Sequence, residues 1–141
     1  MKIIYDLIIH SVGIQYKWAG NNSLEGWDCS GYICELLRSG GVIGTEDLTA
    51  QDIYNKFEKN GSWNIFQLGS LLFFGESVLK IKHVGMCVDA YVFTEAGGGN
   101  RDVDTLDEAR AKSAMVRIRP IKSRTDLVAV IKPSYASIGM A

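Results

Sequence analysis

The sequence predicts one α+β domain, in which amphipathic helices come first and a mostly antiparallel sheet follows. Apolar residues recur at helical spacing in the first part of the chain, and from about residue 65 the pattern changes to that of strands. The length of 141 residues corresponds to a single domain over residues 1–141, with no separate binding domain. Hydrophobic residues make up 47% and charged residues 22%, which is ordinary globular composition.

Helical spacing predicts three helices before the sheet. Asp28 is a good N-cap for the second, because its carboxylate can accept from the unpaired amides of the first turn. Thr49 and Asp52 have the spacing of a capping box for the third. The turn residues between the first and second helices predict a loop. The first helix covers 2–12 and is ended by Gly13, and the loop covers 15–27. The second helix runs from near Asp28 to Gly40-Gly41, and the third covers about 49–59.

Short apolar or alternating runs predict the strands. In the second of them, Ile81, His83, Gly85 and Cys87 are expected on one face and the intervening residues on the other. A glycine at 85 should leave room for the second helix to come close. A short helix is also predicted, over 105–112. The predicted strands are 71–74 closed by Gly75, 81–88, 91–96, a segment through Val116 and Ile118, and 127–131.

Composition excludes several classes of function. Fifteen Lys and Arg against sixteen Asp and Glu give a net charge of −1, which argues against a nucleic-acid partner or an anionic membrane surface. Three cysteines without a C-x-x-C pair do not form a disulfide framework, and two histidines without H-E-x-x-H predict neither a metal nor another cofactor. No apolar run approaches the length of a membrane span, and no signal peptide is recognisable, so synthesis in the cytoplasm is expected.

Cys29 and His83 are the residues whose setting points to chemistry. Cys29 falls in the first turn of the second predicted helix, where the peptide dipoles favour a thiolate. His83 is the only plausible base, and Glu95 returns beside it on the next strand to orient the imidazole, with Asp89 as the fallback. The chain order of Cys, His and a polar residue is that of papain-like enzymes.

Other residues have structural interpretations. A single Cys or His is more often part of a core, and Cys34, Cys87 and His10 are interpreted in that way. Arg117 and Arg119 share a strand face, which favours a solvated edge strand.

Four short motifs carry a resemblance to a known family. In chain order they are Tyr16-x-Trp18-Ala19-Gly20, Asp28-Cys29-Ser30-Gly31, Gly69-Ser70-Leu71-Leu72-Phe73-Phe74 and His83-Val84-Gly85-Met86. Together they resemble the NlpC-type (NlpC/P-sixty) cell-wall cysteine peptidases, from about residue 3 to 100. The segment from Glu95 to Asp126 resembles compact members encoded by bacteriophages.

The resemblance implies a papain-like NlpC-type fold and hydrolysis of amide bonds in peptidoglycan stem peptides, typically between D-γ-glutamate and the diamino acid. It implies that Cys29 is the nucleophile, His83 the general base and Glu95 the third residue. It further implies that Tyr16 helps to hold the oxyanion or substrate, and that Asp28 and Ser30 hold the free amino end of the stem peptide. Virion tail proteins are a second class of partner, and the enzyme would reach the wall after holin release or as part of a virion.

The sequence departs from the family pattern at three positions. Ala19 replaces a glycine, and Ser70 replaces an aspartate, which affects a local turn. Glu95 stands where His, Asn or Gln is more common, and a carboxylate can orient an imidazole equally well. Two alternatives remain open: a catalytically silent module that binds wall peptide or assembles into a virion, and an amidase or acyltransferase on the same scaffold.

Overall fold

The helices begin and end largely where their capping residues predict. The computed structural model describes residues 1–15, 21–22, 26–97 and 115–135, so the predicted helix over 105–112 and the candidate Tyr16 lie outside the described residues. Within these ranges none of the helices is long and apolar enough to cross a membrane. The described α-helices are α1 (Lys2–Ser11), α2 (Cys29–Ser39) and α3 (Ala50–Phe57).

The caps of α2 and α3 are formed by the predicted side chains. Asp28 Oδ1 accepts a hydrogen bond from the Gly31 N–H at 2.7 Å. Thr49 and Asp52 form the reciprocal capping box, with both hydrogen bonds at 3.1 Å. These bonds satisfy amides that have no acceptor within the helix, and they explain why both helices start at these positions.

The strands form one antiparallel sheet and one short pair. In the described part of the chain, the sheet has six strands in the order β3-β8-β4-β5-β6-β7. The short pair, β1 (Asn21–Asn22) and β2 (Gly26–Trp27), lies in the segment that was predicted as a loop only. The strands of the sheet are β3 (Ser62–Trp63), β4 (Leu71–Ser77), β5 (Lys80–Cys87), β6 (Val92–Gly97), β7 (Met115–Pro120) and β8 (Leu127–Lys132).

Two predictions about β4 and β5 are wrong because the pairing of these strands contains a β-bulge. The strand β4 does not end at Gly75, because pairing continues to Ser77. Phe74 lies opposite His83 whereas Gly75 lies opposite Ile81, so the register shifts between them. Because side-chain direction alternates along a strand, this shift turns the Ile81 side chain to the opposite face of the sheet from the predicted one. Ile81 therefore joins the core with Val84 and Met86 and does not share the face of His83.

Two apolar clusters cover the two faces of the sheet. The larger one packs all three helices against β4, β5, β6, β7 and β8. The smaller one consists of Leu72, Phe74, Cys87, Phe93 and Val130. Gly85 lies on the smaller side, where an added Cβ would stand 2.6 Å from the Phe93 ring. The glycine at 85 thus makes room for Phe93, and the prediction that it makes room for the second helix is wrong.

A buried hydrogen bond ties α2 to β6. The Tyr32 hydroxyl and Thr94 Oγ1 lie 2.8 Å apart, and both side chains are fully buried. Tyr32 lies one turn after Cys29, and Thr94 directly precedes Glu95. Because an unpaired buried hydroxyl is costly, this bond holds the start of α2 at a defined distance from β6. The two elements that carry Cys29 and Glu95 are therefore joined beside the site.

Candidate active site

Cys29 is the first residue of α2 and its side chain is partly exposed. The amides of the first turn have no acceptor within the helix, and the helix dipole adds positive potential at this end. Both effects favour a negative charge on the sulfur. Cys34 and Cys87 are buried, as predicted for core residues, and burial raises the pKa of both thiols. Cys29 is thus the cysteine in a setting that suits a nucleophile.

His83 lies between Glu95 and Cys29. Its Nε2 lies 2.7 Å from Glu95 Oε1, and Cys29 lies close enough to the ring to raise the pKa of His83. Because Nε2 is engaged by the carboxylate, Nδ1 is the nitrogen left for the sulfur. The Phe74 ring packs on the imidazole at 5.6 Å between centroids. The structure therefore brings Cys29, His83 and Glu95 together from α2, β5 and β6.

The Glu95 carboxylate is completely buried and has its two oxygens divided between partners. Oε1 faces His83, while Oε2 accepts from Arg117 Nε at 2.9 Å and from Arg119 Nη1 at 3.3 Å. Arg124 Nη1 is 3.9 Å from Oε1. A buried carboxylate with cationic donors on both oxygens stays ionised, because each donor stabilises the charged form.

Opposing effects set the pKa values of this pair. Burial acts to raise the pKa of Glu95, but the hydrogen bonds and charges of His83 and Arg117 outweigh it and lower that pKa to about 2. Burial acts to lower the pKa of His83, but the hydrogen bonds to Cys29 and Glu95 outweigh it and raise that pKa to about 9. At neutral pH the pair is therefore an imidazolium and a carboxylate, and the imidazolium stabilises a thiolate at Cys29.

These shifts predict a stability that falls at both extremes of pH. The His83 pKa is raised from 6.5 to about 9, so its contribution is fully present below 6.5 and is lost as pH rises through about 9. The Glu95 pKa is lowered from 4.5 to about 2, so its contribution is present above 4.5 and is lost as pH falls through about 2. Thermal unfolding followed by circular dichroism across this range measures both limbs. The variant His83→Gln should not show the loss of stability at high pH. An equal loss at high pH in the wild type and in this variant would contradict the raised pKa of His83.

The remaining predicted site residues have identifiable partners. Asp28 Oδ1 caps α2 and also accepts from Ser30 Oγ at 3.4 Å, so these two side chains lie together beside Cys29. Asp89, the fallback for orienting His83, accepts from the Tyr91 and Val92 amides and forms the β5–β6 turn instead. His10 Nδ1 donates to the Asp6 carbonyl of its own helix at 2.7 Å, in agreement with a structural role.

Ser70 keeps the local turn that its replacement of aspartate placed in question. Its Oγ accepts from the Gln67 N–H at 3.3 Å, and its own amide donates to the Gln67 carbonyl at 2.9 Å. Gly69 has φ +93°, a conformation that suits glycine. A serine oxygen thus performs the acceptor role that a carboxylate would have in this turn.

Sequence reasoning missed the arginines around Glu95. The strand β7 is the last strand of the described sheet, and residues 13–15 bond to part of its outer edge. Arg117 and Arg119 are only 29% and 31% exposed and both bind Glu95, so their face is not the solvated one that was predicted. Arg124 is held by Asp126 at 2.7 Å and lies 4.5 Å above the Phe74 ring. The alternation of Arg117 and Arg119 was visible, whereas the pairing of Glu95 with Arg117 across β6 and β7 depends on strand register.

The fold and the site define a class of protein. A cysteine at the start of a helix, facing a histidine on an antiparallel sheet, is the arrangement of papain-like α+β proteins. The family model for the NlpC/P60 family matches residues 13–120, and the chain belongs to this family. No curated protein matches the chain.

Solved structures share the fold at low sequence identity. A lipoprotein-like NLP/P60 family protein from Staphylococcus aureus has a TM-score of 0.69 at 20% identity, over 96% of this chain and 41% of its own. The peptidoglycan hydrolase RipB of Mycobacterium tuberculosis has a TM-score of 0.69 at 17% identity, and the match covers 96% of this chain and 64% of RipB. RipD of the same organism is described as a non-catalytic NlpC/p60 domain protein adapted to peptidoglycan binding. It has a TM-score of 0.64 at 16% identity, and the match covers 93% of this chain and 94% of RipD. This chain thus spans about two fifths of the S. aureus protein.

Proposed function

We propose that this protein is a cysteine peptidase that hydrolyses amide bonds in the stem peptides of peptidoglycan. The observation that carries the proposal is the position of the His83 imidazole, which bonds to the buried Glu95 carboxylate on one side and lies close to Cys29 on the other. Membership of the NlpC/P60 family supports peptidoglycan as the substrate class. The same three groups would have little use in a protein that only binds wall peptide.

The chemistry follows from the positions of these groups. The Cys29 thiolate attacks the amide carbon, and the Cys29 backbone N–H at the start of α2 stabilises the resulting oxyanion. The His83 imidazolium gives its proton to the leaving nitrogen as the C–N bond breaks, which leaves a thioester and a free amine. A water molecule, deprotonated by His83, then attacks the thioester; the carboxylate product departs and the thiolate is restored. Glu95 keeps the ring oriented throughout.

Asp28 and Ser30 support the choice of bond. A carboxylate and a hydroxyl adjacent to the nucleophile suit a protonated amine, through charge-assisted hydrogen bonds. If the free amino end of the peptide is held there, an amide bond a short distance further along that peptide lies at the Cys29 sulfur. We assign the cleaved bond to that between D-γ-glutamate and the diamino acid. We further propose that the enzyme belongs to a phage, as a lysin or a tail component, which the resemblance of the segment from Glu95 to Asp126 supports.

Digestion of purified sacculi tests this function. The protein should release new amino groups, and mass spectrometry of the soluble fragments should show diamino acids with a free amino end. Fragments cut at another amide would reject the assigned bond and keep the peptidase. Intact sacculi that sediment together with the protein would instead indicate a binding module, the alternative that the fold shared with RipD favours. Intact sacculi with selective thiol labelling of Cys29 would indicate an amidase or acyltransferase with another substrate.

A further inference from the structure

Arg117 contacts the site only through Glu95 among the bonds described here. Its Nε donates to Glu95 Oε2 at 2.9 Å, on the oxygen that His83 does not use. The two residues lie directly opposite each other on β7 and β6, so their side chains leave the sheet on the same face. Arg117 thus reaches the catalytic candidates without facing the sulfur itself.

The backbone leaves space for this pair at Gly97. An added Cβ there would stand 2.7 Å from Glu95 Oε2 and 2.9 Å from Arg117 Nη2. Gly97 is two residues after Glu95 on β6, so its missing side chain would have pointed to the same face. The absence of a side chain at 97 is what allows the carboxylate and the guanidinium to meet.

Orientation of the carboxylate is the property that this contact controls. The terminal torsion of a glutamate is soft, so a single bond from His83 would leave the plane of the carboxylate poorly defined. A second donor on the far oxygen fixes that plane and keeps Oε1 directed at Nε2 of His83. Arg119 binds the same oxygen at the longer distance of 3.3 Å, and Arg124 is committed to Asp126 and to the face of Phe74.

We propose that Arg117 is a positioning residue, which holds Glu95 so that the His83 ring presents its other nitrogen to Cys29. Its use in catalysis rests on the function proposed above, but its effect on the sulfur does not. Arg117 therefore controls the reactivity of Cys29 toward any electrophile, with or without a wall peptide.

The test measures the rate at which iodoacetamide alkylates Cys29 at neutral pH, located by peptide mass spectrometry, in proteins shown to be folded by circular dichroism. Arg117→Gln should slow this rate about tenfold, because loss of a group that orients a site residue typically costs this factor or more. Arg117→Lys keeps the charge, and its alkylation rate should fall between those of the wild type and Arg117→Gln. Gly97→Ala changes no charged group and should slow alkylation by a similar factor. Lys122 is an exposed basic residue two positions after the end of β7, and Lys122→Gln is the control that should react like the wild type.

Stem-peptide kinetics add the second readout. For Arg117→Gln we expect kcat to fall with the alkylation rate while KM stays nearly unchanged. Alkylation at the wild-type rate in folded Arg117→Gln would overturn the inference. A raised KM with unchanged kcat and alkylation would also overturn it, since Arg117 would then contact the substrate. If no form of the protein cleaves stem peptides while alkylation still slows in Arg117→Gln and Gly97→Ala, the proposed function fails and the positioning role stands.

Discussion

Replacing Cys29 by alanine is expected to abolish the cleavage of stem peptides, with a loss of at least about 10⁴-fold in kcat/KM. In the proposed mechanism the sulfur forms the covalent bond to the acyl group, and the remaining groups of the site only orient the substrate and stabilise charge. Steady-state kinetics on a synthetic peptide of L-alanine, D-γ-glutamate and a diamino acid measure the effect. The binding of that peptide should persist, because Asp28 and Ser30 are unchanged.

A second cysteine provides the matched control. Cys34 lies on the same helix but is buried, and burial raises the pKa of its thiol. Cys34→Ala removes a core contact and should lower stability, yet the folded protein should keep nearly full activity. Cleavage that survives in Cys29→Ala would remove Cys29 from the mechanism. Cleavage that disappears equally in Cys34→Ala, at a temperature where that variant is folded, would show that the loss is not specific to Cys29.

Replacing Glu95 by glutamine is expected to have the largest effect on stability among single substitutions at the site. The carboxylate is fully buried and is bonded to His83, Arg117 and Arg119, so its loss leaves several cationic groups close together without a counter-charge. Breaking a buried charge pair by removing one partner costs about 3–5 kcal/mol. Urea unfolding should show a loss of this size. The pKa of His83 should also fall toward its ordinary value, which moves the alkaline loss of stability to lower pH.

Glu76→Gln is the matched control for this substitution. Glu76 also has two cationic partners, Lys80 at 3.5 Å and Lys82 at 3.0 Å, but its side chain is 58% exposed. Water already screens these ion pairs, so the loss of stability should be much smaller than in Glu95→Gln. Equal losses in the two variants would mean that burial does not amplify the charges around Glu95. A Glu95→Gln variant with wild-type stability and wild-type pH dependence would contradict the ionised cluster.

The helices could be predicted because their signals are local. Asp28 and the Thr49–Asp52 pair bond to amides within three residues, so the positions of these side chains along the chain already define where α2 and α3 start. The bulge between β4 and β5 was not predicted. It arises because Gly75 has no side chain to collide with the Lys80 carbonyl, and that close approach exists only once the two strands are paired.

The site could be predicted in part for the same reason. Cys29 was recognisable from its place after an N-cap, and Glu95 from the return of the chain after a turn. Arg117 and Arg119 were interpreted as solvated, because a basic pair on an edge strand usually is. Their actual partner lies on a neighbouring strand, and the pairing depends on the register between β6 and β7.

By itself the order of residues determined the α+β class, the helix starts and the identity of the groups able to attack and to accept a proton. All of these depend on neighbours close in the chain, or on residue types that few positions offer. Only the folded protein decided that both oxygens of Glu95 are occupied and that Gly97 makes the space for it. Contacts between distant segments depend on register and packing, where a shift of one residue turns a side chain to the opposite face.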